Sequence, residues 1–204
     1  MAEHVPEEMQ LVVFATGFLS SREPETSGSI TAGGDFRAVS ILNRIPPGLL
    51  RPLIISSQHG IEVFTKNIAS GLDSVSIDNA FQRASQTLPF LITLYLTRCL
   101  AGVLKALRIR LPATQLIAYS ISNTLPDVVT CAILRMIGKF PKWIAVVHHW
   151  PQPRIMNYGS RIERLISAAT ADFSFLMISM FADRVVAYNQ PAIVTLQVIS
   201  IWIE

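Results

Sequence analysis

Short apolar runs recur along the chain and alternate with segments of helical periodicity. Six runs predict strands, over residues 12–14, 53–55, 75–77, 116–119, 143–147 and 184–188. Most of them are continuously apolar, which is typical of strands buried on both faces of a parallel sheet. We expect the pairs Val146–Val147 and Val185–Val186 to show that burial best.

Apolar residues at helical spacing fill four of the segments between the strands. Pro46, Pro47 and Gly48 are expected to end the first of these helices, and Gly138 lies near the end of the third. We expect each stripe to be buried. The stripes comprise Ala38, Ile41, Leu42 and Ile45; Ile92, Leu96, Leu100, Val103 and Leu107; Val129, Ala132, Ile133 and Met136; and Ile162, Leu165, Ile166, Ala169, Phe173, Leu176, Met177 and Met180.

Strands alternating with helices predict a fold of the α/β class. The expected architecture is a doubly wound, mostly parallel, Rossmann-like sheet with helices on both faces. A length of 204 residues fits one domain. We assign residues 1–189 to that domain and residues 190–204 to an apolar C-terminal tail that looks interrupted, because it is apolar and has no capping signal.

The apolar character of the chain raises the question of a membrane. Half of the residues are hydrophobic and 15% are charged. A spanning helix needs about 20 apolar residues, and the best run, residues 88–97, is about half a span and meets Arg98. The run over residues 173–181 is shorter, and we interpret both as buried helices. The acidic start is unlike a signal peptide, so we expect a cytoplasmic protein.

Charge and cysteine content narrow the choice of partners. The net charge of +3 is dispersed apart from a mild cluster at Lys105, Arg108 and Arg110, which is too sparse for nucleic acid. An ordinary solvated surface is the favoured interpretation of that cluster; a weak attraction to phosphate ligands or an anionic membrane surface stays open. Cys99 and Cys131 lack metal-type spacing, and we expect no disulfide, metal or cofactor.

Candidate chemistry follows the strands, because ligands of open parallel sheets bind at the carboxyl ends of the strands. Gly33, Gly34 and Asp35 join the first strand to the first helix. Paired glycines allow close approach of the backbone to a phosphate, and a helix start offers free N–H groups. The segment is not Gly-x-Gly-x-x-Gly, which argues against a nicotinamide dinucleotide. A glycine-rich loop without a ligand is the alternative.

Two further polar segments end predicted strands. Asn123 lies in the segment 118–127, where helix capping without a ligand is the equal alternative. His148 and His149 end a buried strand and point to opposite faces, so they should not chelate one metal. One of them would face the cleft, where a neutral imidazole could donate to a sugar hydroxyl or carbonyl; a structural role is the alternative. Asn189 follows the last strand and could reach the cleft. The isolated His59 is expected in a loop.

These segments, in this order, resemble the glycosyltransferases of family four, which have the GT-B fold. The similarity covers residues 9–189. The segments that carry it are the Gly-Gly-Asp loop, Ser122-Asn123-Thr124-Leu125-Pro126-Asp127-Val128, Lys142-Trp143-Ile144-Ala145-Val146-Val147-His148-His149 and Phe181-Ala182-Asp183-Arg184-Val185-Val186-Ala187-Tyr188-Asn189.

The resemblance implies transfer of a sugar from a nucleotide-sugar donor to an acceptor, which in this family can be a lipid. It places Gly33 and Gly34 near the donor phosphates and His148 near the donor sugar. The family's C-terminal domain carries a Glu-x7-Glu motif that does not occur in these 204 residues. We therefore expect weak or no catalysis unless a nucleotide-binding domain is supplied.

Other functions stay open beside that of an acceptor-side transferase half. The chain could be a non-catalytic, membrane-recruiting subunit of a split transferase. It could also be a sugar-nucleotide epimerase-like protein, and a nicotinamide dehydrogenase is less favoured because a tight glycine turn is missing.

Overall fold

The architecture was taken from a computed structural model, which describes residues 9–16, 33–46, 49–68, 72–77, 88–110, 116–148 and 161–187. Eleven elements alternate along the described chain. They are β1 (Met9–Ala15), α1 (Gly33–Leu42), β2 (Leu50–Ser56), α2 (Gln58–Asn67), β3 (Asp73–Ser76), α3 (Leu88–Leu107), β4 (Leu116–Ser120), α4 (Leu125–Met136), β5 (Lys142–Val147), α5 (Arg161–Phe181) and β6 (Arg184–Ala187).

The six strands form one parallel sheet in the order β3-β2-β1-β4-β5-β6. The order reverses between β1 and β4, which makes their carboxyl ends the topological switch point of a doubly wound sheet. The predicted α/β Rossmann-like class is therefore confirmed. Residues 190–204, assigned to a tail, lie outside the described residues.

The core has two halves because side chains of a strand point alternately to the two faces of the sheet. Val12 and Phe14 of β1 pack under α3, α4 and α5. Leu11 and Val13 of the same strand pack under α1 and α2. The central strands are thus covered on both sides, which explains their continuously apolar sequences.

Helix α4 shows how the local sequence sets its ends. Thr124 is its N-cap, Pro126 lies in its first turn and Asp127 complements the positive end of the helix dipole. Gly138 follows the helix with a φ of +73°, a left-handed conformation that glycine adopts without steric cost. The chain can therefore turn directly from α4 towards β5.

The predicted orientation of two helices is wrong. On α3, Ile92, Leu96, Leu100 and Leu107 are exposed and Val103 alone of that stripe is buried. Besides Leu94 and Val103, the face of α3 that meets the protein carries Arg98, Cys99, Gly102 and Ala106, which are polar or small. Periodicity showed a stripe, but a stripe alone does not reveal which side of the helix meets the sheet.

Helix α5 shows the same reversal. Leu165, Phe173, Leu176 and Met180 of the predicted stripe are exposed, while Phe175 and Ile178 join the core. Within the described residues, α5 contains one stretch, Arg164–Phe181, that is long and apolar enough to cross a membrane by length and composition alone, and 24% of it is buried in the protein.

Three smaller expectations also need correction. Val185 and Val186 are each 38% exposed, and among the described strands β6 pairs with β5 alone, at the edge of the sheet. His59 lies in the first turn of α2, and not in a loop, since Ser57 caps that helix by accepting a hydrogen bond from the Gly60 N–H. Met136 ends α4 with 56% of its surface exposed.

Candidate functional site

The candidate site lies at the switch point, where β1, β4 and β5 end side by side. Thr16 follows β1, Ile121 and Ser122 follow β4, and His148 follows β5. Helices α1 and α4 each follow one of the two strands that flank the switch point. Their N-termini therefore lie towards this edge, together with the positive ends of the helix dipoles.

The structure brings two of the predicted site residues together. The Asn123 carboxamide oxygen accepts a hydrogen bond of 3.3 Å from the His148 backbone N–H. This contact ties the segment after β4 to the end of β5. Asn123 thus fixes the position of the backbone that carries His148.

His148 is buried, with 7% of its surface exposed. Its Nε2 lies 2.5 Å from the Ile121 carbonyl oxygen, and because a carbonyl only accepts, Nε2 carries the proton in this contact. In this conformation the Nε2–H bonds to the protein. Donation from Nε2 to a ligand would require exchange of the Ile121 contact.

The other predicted site residues fall at separate places. Gly33, Gly34 and Asp35 form the first turn of α1, so the glycine pair begins a helix at the edge where β1 ends. His149 and Asn189 lie outside the described residues.

A buried polar network underlies the site and was not predicted. Its centre is Asp127, which is 1% exposed. One carboxylate oxygen accepts from the Thr16 hydroxyl at 2.8 Å, and the other accepts from the Ser122 hydroxyl at 2.7 Å. Ser122 in turn lies 2.7 Å from the Thr124 hydroxyl. Asp127 therefore joins the ends of β1 and β4 to the start of α4.

Arg98 supplies the positive charge of this network. It is 1% exposed, and its Nη1 donates to the Thr16 carbonyl at 3.2 Å. Burial lowers the pKa of Arg98, while the charges of Tyr95 and Asp127 oppose that shift. Burial also raises the pKa of Tyr95, with Arg98 opposing the shift and Asp127 adding to it. A buried charge is costly unless a partner compensates it, so Arg98 and Asp127 depend on each other.

One residue of this network, Arg98, could have been recognised from the sequence. Arg98 interrupts an otherwise apolar helix, and such a residue is expected to be buried with a partner or to mark an end of the buried run. Arg98 was placed at the end of the apolar run, and its burial was not predicted from the sequence. Asp127, 29 residues later along the chain, offered no local indication that it was that partner.

The two cysteines are unsuited to nucleophilic chemistry at neutral pH. Burial, with the nearby Asp127, raises the pKa of Cys99 to about 12 and the pKa of Cys131 well above its ordinary value. Both therefore stay as neutral thiols, and the thiolate is the reactive form. They are not joined in a disulfide, and the described residues contain no group of three or more metal-ligating side chains.

Gly102 allows the close packing behind the site. A Cβ at this position would lie 3.1 Å from the Thr130 side chain of α4 and 3.3 Å from the Thr16 methyl group. Helix α3 can therefore approach α4 closely enough to bring Arg98 to Thr16. Gly102 thus permits the close helix packing that places Arg98, one turn earlier, within hydrogen-bond distance of Thr16.

A scan against protein-family models and searches of curated proteins and of solved structures found no match.

Proposed function

We propose that this chain forms the acceptor-side, N-terminal half of a glycosyltransferase that moves a sugar from a nucleotide-sugar donor to an acceptor. Transfer would require a nucleotide-binding domain, supplied by further polypeptide or by a partner chain. The protein would work in the cytoplasm, in peripheral contact with a membrane where the acceptor is lipid-linked.

The observation that carries the proposal is the composition of the switch point. Two helix N-termini open at this edge, one of them through Gly33 and Gly34. Such a position favours a phosphate group of the donor. Asn123 and His148 lie at the adjoining strand ends, 3.3 Å apart through the His148 N–H. Amide and imidazole groups can hydrogen-bond the hydroxyl groups of a sugar, which for the His148 Nε2 requires exchange of its contact with the Ile121 carbonyl.

A nicotinamide dinucleotide enzyme has to be distinguished from the transferase, because the same strand order occurs in dinucleotide-binding domains. Residues 16–32 separate β1 from α1. A dinucleotide fingerprint places its glycines in a tight turn directly after the first strand. The length of this connection therefore favours the transferase.

The first experiment is a titration of the isotope-labelled chain, followed by amide resonances. Uridine diphosphate, guanosine diphosphate and NAD would be added separately. We expect a nucleoside diphosphate to shift the resonances of Gly33 and Gly34, since these amides would face the phosphates. The variant with Gly33→Val and Gly34→Val should lose the effect, while Gly138→Ala, at the opposite end of α4, should keep it. Tighter binding of NAD, or no shift with either diphosphate, would contradict the proposal.

Transfer itself is tested in the complete enzyme, with the nucleotide-binding domain present. His148→Ala should lower turnover by roughly a hundredfold if the imidazole contacts the reacting sugar. His148→Gln retains a side-chain N–H donor for the Ile121 carbonyl and serves as the control for a purely structural role. Unchanged turnover in a folded His148→Ala protein would exclude His148 from the site.

A further inference from the structure

Helix α3 presents a continuous apolar surface to solvent, which we name the α3 stripe. Large aliphatic side chains follow one another at intervals of three or four residues, and each is at least 45% exposed: Ile92, Leu96, Leu100, Leu104 and Leu107. With a rise of about 1.5 Å per residue, the stripe runs for about 22 Å. Single exposed leucines are ordinary, but a contiguous apolar patch marks a contact surface.

The stripe lies away from the candidate site. Helices α3, α4 and α5 cover one face of the sheet, and the exposed sides of α3 point away from that face. The candidate site instead occupies the carboxyl edge of the strands. A partner on the α3 stripe and a ligand at the switch point could therefore bind at the same time, and this inference does not depend on the proposed function.

Charge indicates which partner the stripe fits. The segment 88–110 contains Arg98, Lys105, Arg108 and Arg110 and has no Asp or Glu. Arg98 is buried, whereas Arg108 and Arg110 are exposed and Lys105 is partly exposed at the C-terminal end of the stripe. An apolar helix face bordered by basic side chains and without acidic ones complements an anionic lipid surface.

The kind of apolar side chain supports the same partner. The stripe consists of leucine and isoleucine only. Energetically important residues of protein–protein interfaces are enriched in Trp, Tyr and Arg, and leucine is under-represented among them. Aliphatic side chains gain free energy in a hydrocarbon environment without the shape complementarity that a protein partner requires.

The helix would lie on the membrane and not cross it. The opposite side of α3 packs against the rest of the protein, because Arg98 donates to the Thr16 carbonyl and Gly102 lies against Thr130. Crossing a bilayer would expose Arg98 to lipid at a cost of several kcal/mol. We propose that the α3 stripe docks the protein onto a membrane surface that contains anionic lipids, with Lys105, Arg108 and Arg110 at the headgroups.

Vesicle flotation of the full chain tests this proposal. Vesicles of phosphatidylcholine would be compared with vesicles containing roughly one quarter phosphatidylglycerol, a bilayer of negative surface potential. The chain should float with the anionic vesicles and bind them more weakly as salt is added. Failure of the wild-type chain to float with either kind of vesicle would overturn the proposal.

Substitutions identify the surface. Leu96 and Leu100 are 62% and 60% exposed, so the variant with Leu96→Gln and Leu100→Gln should fold normally. Its affinity for anionic vesicles should fall by roughly tenfold or more for each leucine, because each substitution removes the transfer free energy of one buried aliphatic side chain. Leu49→Gln is the matched control, because Leu49 is 57% exposed and lies outside α3, directly before β2. Equal binding by the α3 variant and the wild type would overturn the assignment of the stripe.

The basic side chains are tested separately. Arg108→Gln and Arg110→Gln should each weaken binding to anionic vesicles by roughly fivefold and leave the weak binding to neutral vesicles unchanged. Sedimentation of the vesicle-free protein distinguishes a protein partner. A dimer that the Leu96 and Leu100 substitutions dissociate, in a chain that binds no vesicles, would show that a second copy covers the stripe and would overturn the proposal.

Discussion

Asp127 and Arg98 are the residues on which the architecture of the candidate site depends. Thr16 connects them, because its carbonyl accepts from Arg98 and its hydroxyl donates to Asp127. Both charged residues are 1% exposed. The two charges also interact through space, so removal of either one leaves the other less compensated inside the protein.

Replacement of Asp127 by asparagine should therefore be strongly destabilising. We expect Asp127→Asn to lower the free energy of unfolding by about 3 kcal/mol, because Arg98 loses its countercharge and one of two hydroxyl groups loses its acceptor. Urea unfolding followed by circular dichroism measures the change. Thr16→Val removes one hydrogen bond and should cost about 1 kcal/mol. Equal effects of the two variants would mean that the charge of Asp127 contributes nothing.

At the scale of elements, the sequence predicted where helices and strands lie better than it predicted which way they face. Most of the apolar residues that were predicted to face inwards on α3 and α5 are exposed, although Val103 is buried. In each helix the inward side is held by other features: Arg98 and Gly102 on α3, and Phe175 and Ile178 on α5. A helix with apolar residues on more than one side has no unique inward face in its sequence.

Helix ends were more predictable, because capping depends on neighbouring residues. Gly138 follows the C-cap of α4 at a φ of +73°, and a Cβ there would meet no atom within 4 Å. Gly138→Ala should thus cost about 1 kcal/mol through backbone strain alone. Thermal unfolding measures this cost. Gly138→Asn should lose less, since asparagine tolerates this conformation better, and an alanine variant as stable as the wild type would contradict the explanation.

At the scale of the whole molecule, the central strands of the sheet are more buried than the edge strand β6. Among the described strands, β1, β2, β4 and β5 have neighbours on both sides, and β3 and β6 lie at the two edges. Val185 and Val186 of β6 are partly exposed, whereas Val146 and Val147 of β5 are buried. Local opening is easiest where apolar contacts are few, so the edges should open before the centre.

Amide hydrogen exchange measures this order. We expect the peptides that contain β1 and β4 to exchange slowest and those that contain β3 and β6 to exchange fastest among the strands, with a difference of roughly tenfold or more in rate. Slow exchange in β6, equal to that in β4, would mean that another segment or a partner covers this edge.

The sequence by itself determined the fold class and the edge at which to search for a ligand. Continuously apolar strands between helices permit few arrangements other than a parallel sheet covered on both faces, and ligands bind where such strands end. Asn123 and His148 were named because each follows a strand, and the structure joins them by a hydrogen bond. Whether they or the glycine pair bind a donor stays a prediction.

Only the tertiary structure decided which residues depend on each other across the chain. The link from Arg98 through Thr16 to Asp127 connects α3, β1 and α4, and no local pattern records a contact between residues 111 positions apart. The same holds for the exposed α3 stripe. Its outward direction follows from the burial of Arg98 beside Asp127, because one helix face cannot meet both the polar network and the solvent.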